Sequence, residues 1–404
     1  MPRHALVSSA AAVVAVIALA GCVPNSPAAG SSSVPVAMAD DSCSVGTDTI
    51  DAGPITFELT NTGSDVNEFE ILAEDKLRIV GEKENITPGQ TASYVAQLDP
   101  GTYYTACKFQ MVGEPVGLAA FTVTGEATTR SEDAQALEDE AVTNYVAYIK
   151  SQVGELVPAV QKLSDAYIAG DDETARSLFA AARVPYERIE PTAEAFGDLD
   201  PKIDYREVDA VAEGLDWTGF HRIEKDLWPP AADALNSDGT SAMLDWAPST
   251  PEQRSEFGQG LVADVAQLQT LVTASDFTVS LSDISNGAIG LLDEVATGKI
   301  TGEEDWWSHT DLWDFAANVQ GASVAFGNAR PLAEADGGTG QKLAMRIADE
   351  FDALDTLLAK YGSLEEGFES YDQVTDEQRR ELSDQVNALA EPLSQLTQTV
   401  LGAE

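Results

Sequence analysis

The hydrophobic pattern of this chain changes its period near residue 130, and that change predicts two domains of different kinds. In residues 55–59 and 68–72, apolar and polar side chains alternate, which is typical of a β-strand with one buried face. From Leu137 onward, apolar residues return at the spacing of an amphipathic helix. We therefore predict an all-β domain over residues 40–126, followed by an all-α domain over residues 130–404.

Turn sequences and helix breakers refine both predictions. Turns at residues 62–64 and 99–101 separate short strands, which favours a small Greek-key sandwich for the first domain. In the second domain, prolines and glycines divide the helical pattern into many segments. A helical region of this length favours one bundle built from two packed four-helix units, with any ligand site between helices.

The N-terminus is predicted to direct export. Residues 1–22 combine a basic start with a run of small apolar residues, too short to span a membrane, and end in Leu-Ala-Gly-Cys, which resembles a bacterial lipobox. In that reading Cys22 is acylated and attaches the protein to the lipid bilayer; the alternative is an ordinary secretory signal that leaves Cys22 a free thiol. Residues 23–39, rich in Ser, Ala, Pro and Gly, are predicted to form a flexible tether. We expect an extracytoplasmic, membrane-anchored lipoprotein, in the periplasm or on the outer face of the cytoplasmic membrane.

The charge of the chain limits its partners. Its formal net charge is -45, from 68 acidic and 23 basic residues. Phosphate backbones bind to clusters of Lys and Arg, and the sequence has none, so nucleic acid is excluded as a partner. The acidic surface keeps the protein soluble, and it also raises the local concentration of cations.

The cysteines suggest one cross-link. If Cys22 carries the lipid, Cys43 and Cys107 are the only cysteines that remain. In an oxidising compartment the simplest assignment is a disulfide between them, joining the beginning and the end of the β domain.

Residues 219–228, with the sequence GFHRIEKDLW, contain a histidine and a carboxylate three residues apart. Helical geometry places His221 and Glu224 on one face, so a nitrogen and an oxygen donor converge there. Such a pair suits a cation of borderline or hard character. The alternative is a solvated surface pair, but the apolar neighbours Phe220, Ile223 and Leu227 favour a buried position.

The β domain offers carboxylates. Glu68 and Glu70 share one face of a predicted strand, and Glu82 and Glu84 repeat this spacing in the next segment. These four acids either gather around a hard cation such as ferric iron, as a second metal site, or lie on two solvated strand faces.

Several stretches resemble known families. Residues 183–190, 219–228, 290–303 and 308–315 resemble the imelysin-like peptidase family, whose HxxE motif falls on His221 and Glu224. The Pro-Gly turn before the aromatic strand that ends in Cys107 is similar to the corresponding strand of cupredoxins. A cupredoxin-like domain before an imelysin-like domain resembles the EfeO-type family of iron-uptake lipoproteins.

The resemblance implies an iron-binding component that works with a membrane iron permease and a haem peroxidase of the dye-decolourising type. Iron, as Fe2+ or Fe3+, is the implied metal, with other divalent metals such as zinc or copper as alternatives. The motif implies His221 and Glu224 as ligands and Asp238 as a third. For the fourth, Glu294 and Asp311 are candidates, and Gln320 stands where relatives often have an acid.

Two chemistries are disfavoured by the histidines. The sequence has only three, at positions 4, 221 and 309, and none lies in the β domain, so a blue-copper centre with two imidazoles is excluded. A zinc peptidase of the HExxH type needs two histidines with a Glu between them, whereas this chain offers one at His221. We therefore predict a protein that is not an enzyme. The alternatives are an imelysin-like metallopeptidase, or a generic lipoprotein that binds divalent metals or polysaccharide.

Overall fold

The computed structural model of the protein describes residues 32–402, with the exception of positions 77, 112, 128, 245 and 336. The predicted signal over residues 1–22 and the lipidation site Cys22 lie outside the described residues. The described chain belongs to one compact unit, Ser31–Glu404.

The first domain consists of two facing β-sheets. Its strands are β1 (Ser32–Ala39), β2 (Ser42–Val45), β3 (Thr49–Asp51), β4 (Gly53–Asn61), β5 (Asn67–Leu72), β6 (Ile79–Ile86), β7 (Thr91–Leu98), β8 (Gly101–Phe109) and β9 (Val116–Thr124). One sheet has the order β2-β1-β4-β7, and the other has the order β3-β9-β8-β5-β6. Alternate side chains fill the space between them, where the ring of Phe57 lies 5.2 Å from that of Phe69 and 5.7 Å from that of Phe121.

The predicted tether over residues 23–39 is wrong in its second half. Strand β1 begins at Ser32 and pairs in parallel with β4, so that Val36 lies opposite Leu59. Val34, Val36 and Met38 alternate with exposed or half-buried neighbours and are themselves buried in the core. The period-two pattern was masked by the Ser, Ala and Pro content of this stretch, but it is long enough to form a strand once a sheet is available to pair with.

A disulfide joins the two sheets. Cys43 on β2 is bonded to Cys107 on β8, with their Cα atoms 5.4 Å apart. Gly117 lies directly against Cys43, because a Cβ atom at this position would be 2.6 Å from the Cys43 backbone nitrogen. Its φ of +68° belongs to the left-handed region, so both the conformation and the close approach require glycine.

The second domain is helical. Its helices are α1 (Glu132–Ala169), α2 (Asp172–Glu187), α3 (Leu199–Asp204), α4 (Glu207–Glu213), α5 (Gly219–Leu227), α6 (Pro251–Thr273), α7 (Leu281–Thr297), α8 (Asp311–Ala335), α9 (Gly338–Leu358), α10 (Asp376–Leu393) and α11 (Leu396–Leu401). A 3-10 helix, Glu190–Phe196, follows α2, and a short hairpin of β10 (Gly362–Ser363) and β11 (Gly367–Phe368) follows α9. Thr250 and Thr375 begin α6 and α10 with capping boxes.

Helix α8 lies at the centre of the bundle. It packs against α1, α2, α7 and α9. The ion-rich region described below lies at its first turns. None of the helices in the described chain is long and apolar enough to cross a membrane.

The two domains are in direct contact. Lys108 of β8 forms an ion pair with Glu213 of α4 at 2.7 Å, and Lys83 of β6 pairs with Asp293 of α7. Asn286 of α7 donates a side-chain hydrogen bond to the carbonyl of Val95 at 2.8 Å. Glu82 of the β domain also contacts Glu194 of the helical domain.

Candidate metal centre

Helix α5 places the predicted pair in the protein interior. Its first residue, Gly219, has a φ of +82°, and a Cβ atom there would lie 2.2 Å from the carbonyl oxygen of Ile203. Glycine thus lets α5 approach the end of α3 closely. His221 and Glu224 are 2% and 1% exposed, and His221 Nδ1 lies 3.1 Å from Glu224 Oε2. The alternative of a solvated surface pair is therefore wrong.

Two further carboxylates face the other nitrogen of the imidazole. Asp204, the last residue of α3, places Oδ1 3.6 Å from His221 Nε2. Glu304, in the connection before α8, places Oε1 3.4 Å from the same nitrogen. One donor atom from each of these three buried residues fits within 4.8 Å of the others, which is the size of a metal-binding group.

A second group forms on the Nδ1 side. Asp305 Oδ1 lies 3.9 Å from His221 Nδ1, and His221, Glu224 and Asp305 also offer three ligand atoms within 4.8 Å of one another. His221 therefore stands between two sets of carboxylates, one at each ring nitrogen.

The carboxylates Asp204, Glu304 and Asp305 were not among the predicted ligands. They lie in short elements outside the HxxE motif, and helical spacing relates none of them to His221. The sequence did contain an indication that Glu304 and Asp305 belong to the site, because they fall between two stretches that resemble the imelysin-like family.

Arg183 of α2 is the cation of this cluster, and its side chain is fully buried. Its Nη1 lies 3.2 Å from His221 Nε2, on the same side as Asp204 and Glu304. The acidic partners of the guanidinium are Asp204, Glu187 at 2.5 Å, Glu304 at 3.4 Å, Asp314 at 3.5 Å and Asp305 at 3.6 Å. One fixed positive charge therefore neutralises part of a group of five carboxylates.

The environment changes the proton affinities of both kinds of group. Burial and the Arg183 charge favour the neutral imidazole, but hydrogen bonds to Glu224 and Glu304 outweigh them and raise the pKa of His221 to about 10. Burial raises the pKa of Asp204 to about 8, against the opposing effect of Arg183. When no metal ion is bound, protons on His221 and Asp204 offset part of the negative charge of the cluster.

One buried oxygen of the cluster has no partner among the described residues. It is Oδ2 of Asp311, whereas Oδ1 of Asp305 lies 3.6 Å from Arg183 Nε and the carboxyl groups of Asp305 and Asp314 hydrogen-bond to each other. Asp311, one of the predicted candidates, is fully buried, and its other oxygen accepts a hydrogen bond of 3.3 Å from the Asp305 backbone. Buried polar atoms without partners are rare in folded proteins, and a bound cation is one of the groups that satisfies them.

Glu224 is held in position from the far side. Its Oε1 accepts hydrogen bonds from the backbone nitrogens of Trp307 at 3.0 Å and Ser308 at 2.8 Å, and from the Ser308 hydroxyl at 2.9 Å. Three donors occupy this oxygen, so Oε2 is the one directed at His221. The carboxylate is therefore oriented before any ligand arrives.

Other predicted ligands lie elsewhere. Asp238 is exposed, and its Oδ1 accepts hydrogen bonds from the backbone and hydroxyl of Thr240 at 2.8 Å and 2.6 Å. It forms a local turn, and the structure does not bring it to His221. Gln320 accepts two hydrogen bonds from Arg188, at 3.0 Å and 2.8 Å.

Glu294 belongs to a neighbouring ion network. It lies 4.0 Å from Nζ of the buried Lys299, which also contacts Glu190 at 2.7 Å and Glu187 at 3.5 Å. Because Glu187 also pairs with Arg183, this network is continuous with the His221 cluster.

The acids of the β domain are also drawn together. Glu68 and Glu70 on β5 are buried, and with Glu82 on β6 they offer three oxygens within 4.8 Å of one another. Burial, followed by the charge of Glu84, raises the pKa of Glu68 well above its usual value. Burial and the charge of Glu68 do the same for Glu82, which also contacts Glu194 of the helical domain. Glu68 and Glu70 therefore do not lie on a solvated strand face, whereas Glu82 and Glu84 are half-buried and Glu84 lies outside this group of three.

Comparison with known proteins follows the same division of the chain. The profile of the imelysin family matches residues 141–396, and that of the cupredoxin-like domain matches residues 11–117. The predicted fold class is confirmed, with an all-β cupredoxin-like domain before an all-α imelysin-like bundle.

The curated relatives extend over nearly the whole chain. It is 38% identical over 375 residues to the iron uptake system component EfeO of Escherichia coli K12, covering 92% of each protein, and the Shigella flexneri protein of that name gives the same values. Among solved structures, the chain is similar to the reduced auracyanin of Roseiflexus castenholzii, with 17% sequence identity and a TM-score of 0.20. The match covers 24% of this chain and 99% of auracyanin. That similarity is too low to support an argument. From the identity and its extent, we conclude that the chain belongs to the EfeO family of iron uptake system components.

Proposed function

We propose that this protein binds iron at the buried cluster around His221, as Fe2+ or Fe3+, and delivers it for uptake. The observation that carries the proposal is one imidazole between two sets of carboxylates, beside the buried Oδ2 of Asp311, which has no partner in the described chain. A single nitrogen donor among hard oxygen donors suits both oxidation states of iron, whereas thiolates would favour softer metals. Zinc or copper would compete for the same donors.

The ion is assigned to the Nδ1 side of His221. On the Nε2 side, the guanidinium of Arg183 already contacts Asp204 and Glu304. On the Nδ1 side, Glu224 is not among the acidic partners of Arg183 in the described chain, and Asp305 lies 3.6 Å from its Nε, farther than Asp204 or Glu304. Asp311 is the further candidate, because it adjoins Asp305 and has an oxygen without a hydrogen-bond donor.

Capture is proposed to occur outside the cytoplasm. The relatives named above are components of an iron uptake system, and the strongly negative chain attracts cations to its surface. In this proposal, acylated Cys22 anchors the protein to the bilayer, a membrane iron permease receives the ion, and a haem peroxidase of the dye-decolourising type completes the system. Replacing Cys22 by Ala is expected to release the protein from the membrane fraction, and equal retention would contradict the anchor.

A second iron site is proposed at the acids of the β domain. Glu68, Glu70 and Glu82 provide only oxygen, the donor set that ferric iron prefers, and Glu84 adds negative charge beside them. The domain contact at this face brings Glu194 against Glu82, so the site adjoins the helical domain.

The experiment is an iron titration of the whole protein by calorimetry, under anaerobic conditions for Fe2+ and with a weak chelator for Fe3+. We expect two classes of site. His221→Ala is expected to remove one class and Glu82→Gln the other, whereas Asp238→Asn, an exposed carboxylate, is the matched control and keeps both. Iron binding that survives His221→Ala unchanged would overturn the assignment of the helical site.

A peptidase is disfavoured by the geometry around Glu224. A general base needs a free oxygen near an attacking water. Here three donors occupy Oε1, and Oε2 is directed at His221. A peptide-release assay on the iron-loaded and zinc-loaded protein tests this directly, and we expect no release above that of the His221→Ala variant.

A further inference from the structure

An open cavity lies beside the proposed metal centre. Its volume is about 500 Å³, within the range of small-molecule sites. Three of the six tryptophans of the chain line it, at positions 228, 306 and 307, together with prolines and aliphatic residues. Aromatic rings that remain accessible in a concave site favour a ligand with a flat, apolar face.

The polar groups of the cavity are cationic or neutral. Arg176 and His309 line it, and none of the described lining residues is Asp or Glu, although the chain has 68 acids. Arg176 donates a hydrogen bond from Nε to the carbonyl of Leu227 at 2.6 Å, and its guanidinium lies 5.9 Å from the ring of Trp228. Within the described chain, no carboxylate pairs with Arg176. Its charge is thus available to an anionic ligand.

His309 reaches the cavity through an unusual backbone conformation. Its φ is +57°, in the left-handed region that residues other than glycine rarely adopt. Backbone hydrogen bonds maintain the turn: His309 N donates to Asp305 O at 2.8 Å, and Tyr371 N donates to His309 O at 2.9 Å. Its imidazole makes no hydrogen bond within the described residues, so it can donate to a ligand in the cavity.

One connection serves both sites. Glu304 and Asp305 contact the His221 cluster, whereas Trp306, Trp307 and His309 line the cavity. The backbone of this connection also holds Glu224 through Trp307 and Ser308. The cavity and the metal centre are therefore separated by a single stretch of chain.

We propose that the cavity binds a small aromatic oxyanion of the catecholate class. The aromatic walls take the ring, and Arg176 and His309 take the oxygen anions. A neutral sugar fits less well, because the lining residues offer no carboxylate or side-chain amide to its hydroxyl groups. Catecholate oxygens are hard donors for Fe3+, so the same chemistry could reach the cavity as the free compound or as its ferric complex. Only the choice between these two sources rests on the proposed iron function.

The test uses the full chain and 2,3-dihydroxybenzoate, alone and as its ferric complex, followed by calorimetry and tryptophan fluorescence. We expect saturable binding with quenching of tryptophan emission. Arg176→Gln removes the charge, and His309→Asn removes the imidazole while keeping a residue that tolerates positive φ. Each is expected to weaken binding on the order of tenfold. Arg346→Gln, an exposed arginine outside the cavity, is the matched control and should leave binding unchanged.

The outcomes separate this inference from the proposed function. Tighter binding of the ferric complex identifies the iron-carrying form as the ligand, and equal or tighter binding of the free compound identifies the compound itself. If the wild-type protein binds catecholate but no ionic iron, the proposed function is wrong and the assignment of the cavity to a catecholate ligand is retained. Absence of saturable binding, or equal binding by Arg176→Gln and wild type, overturns the inference.

Discussion

Arg183 Nη1 lies 3.2 Å from His221 Nε2 in the buried interior. A guanidinium keeps its charge at any ordinary pH and opposes a charge on the imidazole, whereas hydrogen bonds to Glu224 and Glu304 raise the pKa of His221. The surrounding carboxylates hold Arg183 and His221 together. A metal ion that binds His221 must displace the imidazole proton, and it then takes over part of the neutralisation that this proton provides.

The first prediction concerns Arg183→Gln. Removing a buried partner from its carboxylates is expected to cost about 3 to 5 kcal/mol of folding free energy in the metal-free protein. Iron then replaces a missing charge, so it should raise the melting temperature of this variant more than that of wild type. Differential scanning calorimetry with and without iron measures both effects. Arg254→Gln, which breaks a partly exposed pair with Asp172, is the control. Equal iron stabilisation in Arg183→Gln and wild type would contradict competition between Arg183 and the metal.

The second prediction concerns Glu224→Gln. An amide in either orientation sets an N–H group against a donor, at His221 Nδ1 or at the backbone of Trp307 and Ser308. We expect a loss of about 1 to 3 kcal/mol in metal-free stability and at least about tenfold weaker iron binding. Urea unfolding and iron titration measure the two quantities. Asp238→Asn should change neither, and a Glu224→Gln variant that behaves like it would count against the site.

The third prediction is a pH dependence of the metal-free protein. Burial raises the pKa of Asp204 to about 8, so between about pH 4 and pH 8 this carboxyl group holds a proton in the folded state that it has released in the unfolded chain. The contribution of this proton to the free energy of unfolding is complete at the acidic end of the range and is lost as pH rises. Above its unfolded pKa of 6.5, His221 also makes the free energy of unfolding fall with rising pH. Glu304, whose pKa is held low by Lys299 and His221 against the effect of burial, contributes no slope above about pH 5.

We therefore expect the melting temperature of the metal-free protein to fall from about pH 5 to about pH 8. Because iron displaces the bound protons, the increase in melting temperature caused by anaerobic Fe2+ should grow over the same range. Asp204→Asn should flatten the metal-free profile relative to Asp238→Asn. A melting temperature that rises with pH in both the wild type and the Asp204→Asn variant would refute the assignment.

The fourth prediction concerns the disulfide between Cys43 and Cys107. It closes a loop with a sequence separation of 64 residues between two sheets, so its loss should destabilise the β domain by about 3 to 4 kcal/mol. A Cys43→Ser/Cys107→Ser double variant, followed by chemical denaturation, measures this change. Iron binding at the His221 site should persist below the new transition. Two freely labelled thiols at these positions in the unreduced native protein would disprove the bond.

Local sequence patterns were sufficient to predict much of the fold. Alternation with period two and helical spacing each follow from backbone geometry within a few residues, so the order of a β domain and a helical domain could be read directly. The same geometry put His221 and Glu224 on one face, and their apolar neighbours indicated burial. Strand β1 was missed because its composition resembles a linker, and its pairing with β4 depends on a sheet formed by distant residues.

The rest of the site depends on how helices cross. Asp204, Glu304 and Asp305 reach His221 from different elements, and no local periodicity relates positions so far apart in the chain. The same holds for Arg183, whose charge changes the proton affinities of the whole cluster. Asp238 follows the motif closely in sequence, but its own turn directs it to solvent. The sequence by itself determined the two domain types and the buried motif, because these follow from short-range geometry. Only the tertiary structure decided which carboxylates surround it, because long-range packing sets their distances.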